Sequence, residues 1–289
     1  MTIESISVVI PAKNEQASIG SLVQQILQLD CVREVVVVDD GSTDQTGDVA
    51  RSAGARVVRH PVSMGNGAAI KRGAREALSD WVLFMDADGQ HQPAEINLLV
   101  QAASDSDMVV GARDAQGQAS IWRRGANGFY NWFASKVTEY PIKDLTSGFR
   151  LVRREKFIRF LHLLPNGFSY PTTSTMAFLR SGYNVSFVPV NVLKREGKSH
   201  IRPIKDGFRF LIIIFKIATL YAPLKVFVPV AIFHFLLGLF RYAYTFSTDG
   251  TFTNMSALLM VLSGVSTRSQ VSPLFWLRQA PPSSTPNHT

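Results

Sequence analysis

The order of apolar and polar residues in the first part of the chain is typical of alternating strands and helices. β-branched runs at Ile6–Pro11 and Val35–Asp40 predict strands buried on both faces. Between them, Ala17–Leu29 has apolar residues three and four positions apart, which predicts an amphipathic helix. Further strands are predicted at Arg56–Arg59, Trp81–Met85 and Met108–Gly111, and helices at Asp44–Ala53, Gly67–Leu78 and Pro93–Ala103. This order indicates an α/β fold with a mainly parallel central sheet.

The pattern changes in the last third of the chain. Ile204–Leu220 mixes apolar residues with cations, which predicts an amphipathic helix lying in a membrane interface. Leu224–Tyr244 predicts a membrane span, although its uncharged core of fifteen residues is shorter than the roughly 20 usually needed. A second apolar run, Phe252–Val265, has only fourteen residues and predicts a short second arm. The predicted organisation is a first domain at 1–203, an interfacial helix at 204–222, a transmembrane hairpin at 223–265 and an unstructured tail at 266–289.

Composition and charge narrow the class of protein. The chain is 46% hydrophobic and 18% charged with a net charge of +8, which excludes a disordered chain. A single cysteine, Cys31, excludes a disulfide scaffold. Residues 194–225 contain eight basic and two acidic side chains, hence +6, just before the predicted span. Because these cations are interleaved with apolar runs, they favour a membrane surface and anionic substrates over nucleic acid. They also predict a cytoplasmic first domain by the positive-inside rule.

Polar residues follow the first two predicted strands. The segment Pro11–Glu15 lies where a nucleotide binds in open α/β sheets, beyond the carboxyl end of a strand, although an ordinary loop is the alternative. Asp39 and Asp40 follow four valines, and two adjacent carboxylates are costly unless donors meet them. A base edge and ribose hydroxyls are such donors. Helix capping explains the neighbouring Ser and Thr residues, but it does not explain this acidic pair.

A third motif, Phe84–Pro93, ends a strand with Asp86 and Asp88 and then supplies Gln90. Carboxylates two positions apart in a turn can converge on one hard cation, and oxygen ligands suit Mg²⁺ or Mn²⁺. A solvated acidic turn is the alternative. His91 follows directly and is not assigned to the metal.

The three motifs, in this order and at these separations, resemble those of family 2 glycosyltransferases of the GT-A fold, most of all the dolichyl and polyprenyl-phosphate mannosyltransferases. The resemblance covers about residues 5–205. Supporting segments are MGNGAAIKRG at 64–73, GAR at 111–113, WRRGAN at 122–127, KDLTSGFRLV at 143–152 and KREGKSHI at 194–201. The resemblance implies a nucleotide-sugar-binding domain followed by C-terminal transmembrane helices.

The resemblance also implies roles for individual residues. The residues expected to contact the nucleoside are Pro11, Lys13, Glu15, Asp39 and Asp40. Asp86 lies against the donor, Asp88 and Gln90 bind the metal, and Arg113 and the Arg195–His200 loop hold phosphates. The chain departs from the family pattern at Lys13, where Tyr is frequent, and at Asn66 and His200, where Lys is frequent. The departure at Lys13 leaves open how the base is stacked. The departure at His200 weakens the phosphate binding expected of the Arg195–His200 loop.

A cationic pocket for donor and acceptor phosphates is also expected. Its candidates are Arg123, Arg124, Arg150, Arg195, Lys198 and His200. Asp144 completes the candidate catalytic set of Asp86, Asp88, Arg113 and Asp144. Three roles are open for Asp144: orienting the acceptor, acting as a base toward a hydroxyl, or pairing with Arg150.

The function implied is metal-dependent, inverting transfer of a sugar from GDP-mannose or UDP-glucose to a polyprenyl phosphate at the cytoplasmic membrane face. An ionised phosphate acceptor needs no strong general base, unlike a sugar hydroxyl. One alternative is a hydroxyl-directed family 2 enzyme of cell-envelope polysaccharide or glycolipid synthesis, although the chain lacks the QxxRW segment of processive synthases. Another is a non-catalytic nucleotide-binding membrane scaffold. The sequence does not fix the oligomeric state, and a homo-oligomer is compatible with it.

Overall fold

The protein is described by a computed structural model that covers residues 3–113, 121–167, 169–192 and 223–250, with single helical positions at 212, 215, 216, 219, 254, 258, 259 and 261. The chain divides into two compact units, Met1–Ile214 and Phe215–Thr289. The interfacial helix expected at 204–222 lies mostly outside the described residues, as does most of the second apolar arm. The tail expected at 266–289 lies wholly outside them.

One seven-stranded sheet forms the centre of the first unit, in the order β3-β2-β1-β4-β6-β5-β7. The strands are β1 Ile6–Ala12, β2 Val32–Asp39, β3 Arg56–Arg59, β4 Trp81–Phe84, β5 Met108–Arg113, β6 Arg150–Arg153 and β7 Val185–Val190. The neighbours β3, β2, β1 and β4 are parallel, and β5 is parallel to β7. Only β6 runs against both of its neighbours, so the prediction of a mainly parallel α/β sheet is confirmed.

Helices cover both faces of this sheet. In chain order they are α1 Ile19–Leu27, α2 Thr46–Ser52, α3 Asn66–Glu76, α4 Ile96–Gln101, α5 Ile121–Thr138, α6 Arg154–Ile158, α7 Tyr170–Arg180 and, in the second unit, α8 Pro223–Asp249. Short 3-10 turns occur at Pro93–Glu95 and Leu161–Leu163.

Alternation along β1 shows how the strands build two cores. Ile6, Val8 and Ile10 pack into one buried cluster with α1, and Val9 packs into the other with α3. Because successive side chains of a strand point to opposite faces, a strand covered on both sides must be apolar throughout. The sheet therefore fixes the carboxyl ends of β1, β2, β4 and β5 relative to one another.

The second unit contains one described helix long and apolar enough to cross a membrane, within α8 at Phe227–Thr248, with a mean hydropathy of 1.5. Its apolar side chains face outward, Phe240 being 72% exposed. This confirms an apolar C-terminal helix near the expected Leu224–Tyr244.

Candidate functional site

The β1–α1 and β2–α2 loops are joined by hydrogen bonds at the carboxyl edge of the sheet. The backbone N–H of Asn14 donates to Ser42 Oγ at 3.1 Å, and Asn14 Oδ1 accepts from the backbone N–H of Thr43 at 2.9 Å. The backbone N–H of Glu15 donates to Thr46 Oγ1 at 2.8 Å. Asn14 has a left-handed φ of 57°, which Asn tolerates better than most residues. These bonds hold the segment Pro11–Glu15, the PAKNE loop, beside the acidic end of β2.

Asp40 organises a third loop. Its Oδ1 accepts from His60 Nδ1 and from the backbone N–H of Met64, both at 2.8 Å. Its Oδ2 accepts from Ser63 Oγ at 2.8 Å and from the backbone N–H of Gly65 at 2.9 Å. Burial opposes ionisation of Asp40, but these hydrogen bonds outweigh it and hold its pKa below the ordinary 3.8. Both carboxylate oxygens are therefore already hydrogen-bonded within the chain.

The remaining residues expected near the nucleoside lie around the same loops. Lys13 is exposed, and its Nζ donates to Ser63 Oγ at 3.0 Å, so it is one side chain away from Asp40. Asp39 is buried, accepts from the backbone N–H of Ser42 at 2.8 Å, and lies 3.4 Å from Arg59 Nε. The structure thus brings Pro11, Lys13, Glu15, Asp39 and Asp40 to one edge of the sheet; their contact with a nucleoside stays a prediction.

The acidic turn after β4 lies next to the PAKNE loop. Ser18, just before α1, donates from its Oγ to the backbone carbonyl of Ala87 at 3.1 Å. Asp86 and Asp88 are half-buried on either side of Ala87, and the backbone N–H of Gln90 donates to Asp88 Oδ1 at 3.2 Å. Both the nucleoside loops and the acidic turn therefore occupy one contiguous region.

The donor set of this turn fits a hard divalent cation that takes other ligands from water and substrate. Asp86, Asp88 and Gln90 offer only oxygen ligands, as Mg²⁺ and Mn²⁺ prefer. Gly89 at the turn has a φ of +70°, and nothing lies within 4 Å of where a Cβ would stand, so the turn is open. In the part of the chain that the structure describes, no group of three or more His, Cys, Asp or Glu side chains could hold a metal ion. A cation at this turn would therefore need further ligands from water and substrate.

Arg113 and Asp144 form a two-pronged ion pair at the end of β5. Arg113 Nε donates to Asp144 Oδ2 at 2.7 Å, and Nη2 donates to Oδ1 at 3.0 Å. Asp144 also accepts from the backbone N–H groups of Thr146 and Ser147. Burial raises the pKa of Asp144, but Arg113 and the backbone donors outweigh it and leave that pKa below 3.8. The partner of Asp144 is thus Arg113, and the expected alternative of a pair with Arg150 is wrong.

The loop that contains Asp144 is held by α5. Asn131 Nδ2 donates to the carbonyl of Lys143 at 2.7 Å, and Asn131 Oδ1 accepts from the backbone N–H of Leu145 at 3.0 Å. Ser135 Oγ accepts from the backbone N–H of Ile142 at 2.9 Å. Sequence reasoning missed Asn131 and Ser135, because nothing local to them indicates a contact across a loop.

Arg150 is a core residue. It is fully buried, and its Nη1 donates to the carbonyl of Pro171 at 2.9 Å and to Ser174 Oγ at 2.7 Å. Its Nε donates to the carbonyl of Ser147 at 3.2 Å. Burial lowers the pKa of Arg150, against the attraction of Tyr170 and Asp144. The expectation that Arg150 contacts a phosphate is therefore corrected: these partners are internal, and Arg150 joins β6 to α7.

His91 is near enough to the ion pair for the charges of both Arg113 and Asp144 to affect it. It is buried, and its ring stacks on that of Phe149 with centroids 4.7 Å apart. Burial and the charge of Arg113 lower its pKa to about 4, against the opposing effect of Asp144, so the ring is neutral at physiological pH. The stacking on Phe149 makes His91 part of the packing at this end of the sheet.

Five expected phosphate contacts are not tested by the structure. The side chains of Arg123 and Arg124 lie outside the described part, although their backbone belongs to α5. Arg195, Lys198 and His200 lie outside the described residues altogether.

Two segments of the chain match models of known protein families. A model described as glycosyl transferase family 2 matches residues 7–161, which include all the loops of the site described above. A model described as the GtrB C-terminal hairpin matches residues 222–267, which include α8.

Several curated relatives are named undecaprenyl-phosphate 4-deoxy-4-formamido-L-arabinose transferase. That of Pseudomonas aeruginosa is 33% identical over 189 residues, which cover 59% of this chain and 56% of the relative. That of Pectobacterium carotovorum is 32% identical over 170 residues, covering 55% and 52%. The chain thus spans about half the length of these relatives. An uncharacterized protein of Methanocaldococcus jannaschii is 29% identical, covering 72% of this chain and 90% of that one.

Among solved structures, glucosyl-3-phosphoglycerate synthase from Mycobacterium tuberculosis has a similar fold. Its complex with Mn²⁺, UDP-glucose and phosphoglyceric acid superposes with a TM-score of 0.59 at 23% identity, covering 74% of this chain and 80% of that one. At this level of identity the likeness shows a shared GT-A-like fold.

Proposed function

Since the chain belongs to glycosyltransferase family 2, we propose that it transfers a sugar from a nucleotide-diphosphate donor to the phosphate of a polyprenyl lipid. The observation that carries this proposal is the state of Asp144. Arg113 neutralises it, backbone N–H groups bind it, and its pKa lies below 3.8, so it is a poor general base. A lipid phosphate is already ionised and needs no such base. The names of the curated relatives, which act on undecaprenyl phosphate, support the same acceptor class.

The donor nucleotide would bind along the joined loops at the carboxyl edge. Lys13 and Glu15 lie on one loop, and Asp39 and Asp40 lie at the end of β2, within one hydrogen-bonded network. In this proposal Asp40 acts on the nucleoside through the loop of Ser63 and Met64 that it holds in place. The base and the sugar are proposed from the resemblance, as GDP-mannose or UDP-glucose.

A divalent cation, Mg²⁺ or Mn²⁺, would be held by Asp88 and Gln90, with Asp86 against the donor. When bound, it would offset the negative charge that develops on the departing diphosphate. The fit of the oxygen donors and the open turn support this, and the Mn²⁺ in the structural neighbour is compatible with it. Arg113, fixed in orientation by Asp144, would place a further cation near the same phosphates.

The proposed reaction is a single displacement. A phosphate oxygen of the lipid attacks the anomeric carbon of the sugar, and the bond from that carbon to the diphosphate breaks. The electron pair leaves with the nucleoside diphosphate, and the anomeric configuration inverts. The chain's own residues would bind the two phosphates, orient them and screen their mutual repulsion, and Arg123 and Arg124 remain candidates for the acceptor phosphate.

The proposed location of the reaction is the cytoplasmic face of a membrane. The apolar segment Phe227–Thr248 supports an anchor, and the family match to a C-terminal hairpin supports the same conclusion. The +6 charge of residues 194–225 supports a cytoplasmic first unit.

The test uses the full chain in liposomes containing undecaprenyl phosphate. GDP-mannose, UDP-glucose and a nucleotide-activated 4-deoxy-4-formamido-arabinose, each radiolabelled in the sugar, are supplied with Mg²⁺ or Mn²⁺ or with EDTA. We expect metal-dependent label in the organic phase from one donor, and none with Asp88→Ala. No lipid-linked label from any donor, by a protein that still binds nucleotide, would overturn the proposal and favour a scaffold.

A further inference from the structure

Gly148 lies opposite Asp86 in the register of the sheet. Strands β4 and β6 are antiparallel, and Phe84 at the end of β4 pairs with Arg150 at the start of β6. Continued two residues beyond this pair, the same register sets Asp86 against Gly148. Because residues directly opposite each other in an antiparallel pair project to the same face, a side chain at position 148 and that of Asp86 would compete for one space.

The carboxylate of Asp86 occupies that space. A Cβ on Gly148 would lie 2.8 Å from Asp86 Oδ2 and 3.4 Å from Asp86 Cγ, and the shorter of these distances is closer than a Cβ approaches any non-bonded atom. The φ of Gly148 is not left-handed, so its backbone conformation does not require glycine. What requires glycine at this position is the carboxylate beside it.

Tyr170, the first residue of α7, bounds the same space from another side. Its hydroxyl donates to the carbonyl of Gly148 at 2.9 Å and would lie 3.4 Å from the added Cβ. Its ring meets that of Phe84 edge to face, with centroids 6.1 Å apart. Burial and the charge of Asp86 raise the pKa of Tyr170, against the opposing effect of Arg150, so the phenol keeps its proton and remains a donor. The hydroxyl therefore holds the backbone of Gly148 in place beside Asp86.

The position of Asp86 also matters for the charges around it. Burial lowers the pKa of Arg113, but Asp144 and, to a smaller extent, Asp86 raise it above its usual value. Asp86 likewise acts on the fully buried Arg150, whose pKa burial lowers. A displaced carboxylate would therefore change its attraction to Arg113, the cation that the proposed function puts near the phosphates.

We propose that Gly148 is a positioning residue for Asp86: its missing side chain leaves the space that fixes how the Asp86 carboxylate lies against the nucleotide-sugar. The role of Asp86 at the donor rests on the proposed function, whereas the contact with Gly148 rests on the register and distances given above. The atom that a larger residue would displace is the end of a rotatable side chain, unlike the backbone carbonyl beside Gly67. Gly148→Ala should therefore fold and lose the placement of Asp86.

The first measurement is a double-mutant cycle of thermal unfolding, using the full chain in detergent. Gly148→Ala should lower the Tm by about 3 °C, because the carboxylate has to leave its place. In an Asp86→Ala background the same change should cause no loss of Tm, because no carboxylate then stands in the way. An equal change of Tm in both backgrounds would overturn the proposal, since position 148 would then not be coupled to Asp86.

The second measurement is sugar transfer by the same variants in liposomes containing undecaprenyl phosphate. Gly148→Ala should lower kcat at least about tenfold through the misplaced carboxylate, with an unchanged KM for the lipid. Gly167→Ala is the matched control, since Gly167 is exposed, its φ is not left-handed and nothing lies within 4 Å of its Cβ position; it should change neither Tm nor kcat.

The two measurements separate this inference from the proposed function. A wild-type kcat in Gly148→Ala would overturn the positioning role. Should the wild type itself transfer no sugar, the proposed function fails, and the cycle of Tm values still decides whether Gly148 makes room for Asp86.

Discussion

Arg113 and Asp144 face each other through two parallel hydrogen bonds, 2.7 Å and 3.0 Å long, and Asp144 is buried while Arg113 keeps 27% of its side chain exposed. A two-pronged pair fixes the plane of the guanidinium as well as its position. Asp144 thus supports the pair from inside the protein, and Arg113 presents its charge toward the acidic turn.

Replacing Asp144 by Asn should therefore weaken the support of Arg113. We expect a loss of about 2 kcal/mol of unfolding free energy, because a partly buried charge loses its partner, and a roughly 100-fold drop in kcat. Urea unfolding of the full chain in detergent and turnover assays measure both quantities. Arg113→Lys should lower kcat to a similar extent, since Lys cannot form the same pair. Wild-type kcat in either variant would contradict the role of the pair.

The stability contributed by Asp144 should depend on pH in one direction. Its pKa is lower in the folded chain than the ordinary 3.8, so the unfolded chain binds the proton more tightly. The contribution is fully present above that value and is lost as the pH falls through the folded pKa. The difference in unfolding free energy between wild type and Asp144→Asn should be constant from about pH 8 to pH 5 and shrink only below about pH 4. A difference that already shrinks near pH 6 would indicate a raised pKa and a general base.

The acidic turn should be required for turnover and not for folding. Asp88→Asn should lower kcat by about 100-fold or more, because the metal loses a charged ligand next to the departing diphosphate. Asp80→Asn, at an exposed aspartate outside the site, is the control and should have wild-type kcat. Metal titration of both variants measures the effect. Equal metal dependence in Asp88→Asn and wild type would show that the ligands lie elsewhere.

Arg150 should matter for stability alone. Arg150→Met removes the guanidinium donors from the carbonyl of Ser147 and from the carbonyl of Pro171, which keeps only Ser174 Oγ among its side-chain donors. We therefore expect a loss of about 3 kcal/mol of unfolding free energy. The same change at exposed Arg33 should cost almost nothing. At temperatures where Arg150→Met is folded, its KM for the lipid acceptor should equal that of wild type. A tenfold higher KM would show that Arg150 does contact the acceptor phosphate.

Two glycine-to-alanine substitutions should change the stability of the chain in opposite directions. A Cβ at Gly67 would lie 2.0 Å from the carbonyl oxygen of Pro165, so Gly67→Ala should destabilise the chain by about 2 kcal/mol or more. A Cβ at Gly128 meets nothing within 4 Å in a helix, so Gly128→Ala should stabilise it by about 0.5–1 kcal/mol. Thermal unfolding of the two variants side by side checks this. Destabilisation by Gly128→Ala would show that α5 is covered at that position.

The parallel half of the sheet is readable from local pattern, and the antiparallel strand is not. The valine run of β2 and the apolar β1 have β-branched residues on both faces, which few other environments accept. The sequence RLVR of β6 begins and ends with arginine, and it becomes a strand because β4 and β5 pair with it from distant parts of the chain. Likewise α7 is buried along almost its whole length although it contains four Ser or Thr residues.

Among the site residues, too, some positions can be predicted from the local sequence and others cannot. Carboxylates placed directly after strands, such as Asp40 and Asp86, are predictable because parallel strands bring their carboxyl ends to one edge. The partners of charged groups are not, because they depend on contacts between distant segments. Arg150 was expected in the phosphate pocket, yet internal carbonyls and hydroxyls satisfy it, and Asp144 pairs with Arg113 across 31 residues.

The central claim is that the acceptor is the lipid phosphate itself. The most direct measurement is ³¹P NMR of the purified lipid product, together with the one-bond carbon–proton coupling at the anomeric carbon of the sugar. The account predicts conversion of the phosphomonoester of undecaprenyl phosphate to a phosphodiester, with the anomeric configuration opposite to that of the donor. An intact phosphomonoester in a labelled product, with the sugar on a hydroxyl group, would contradict it.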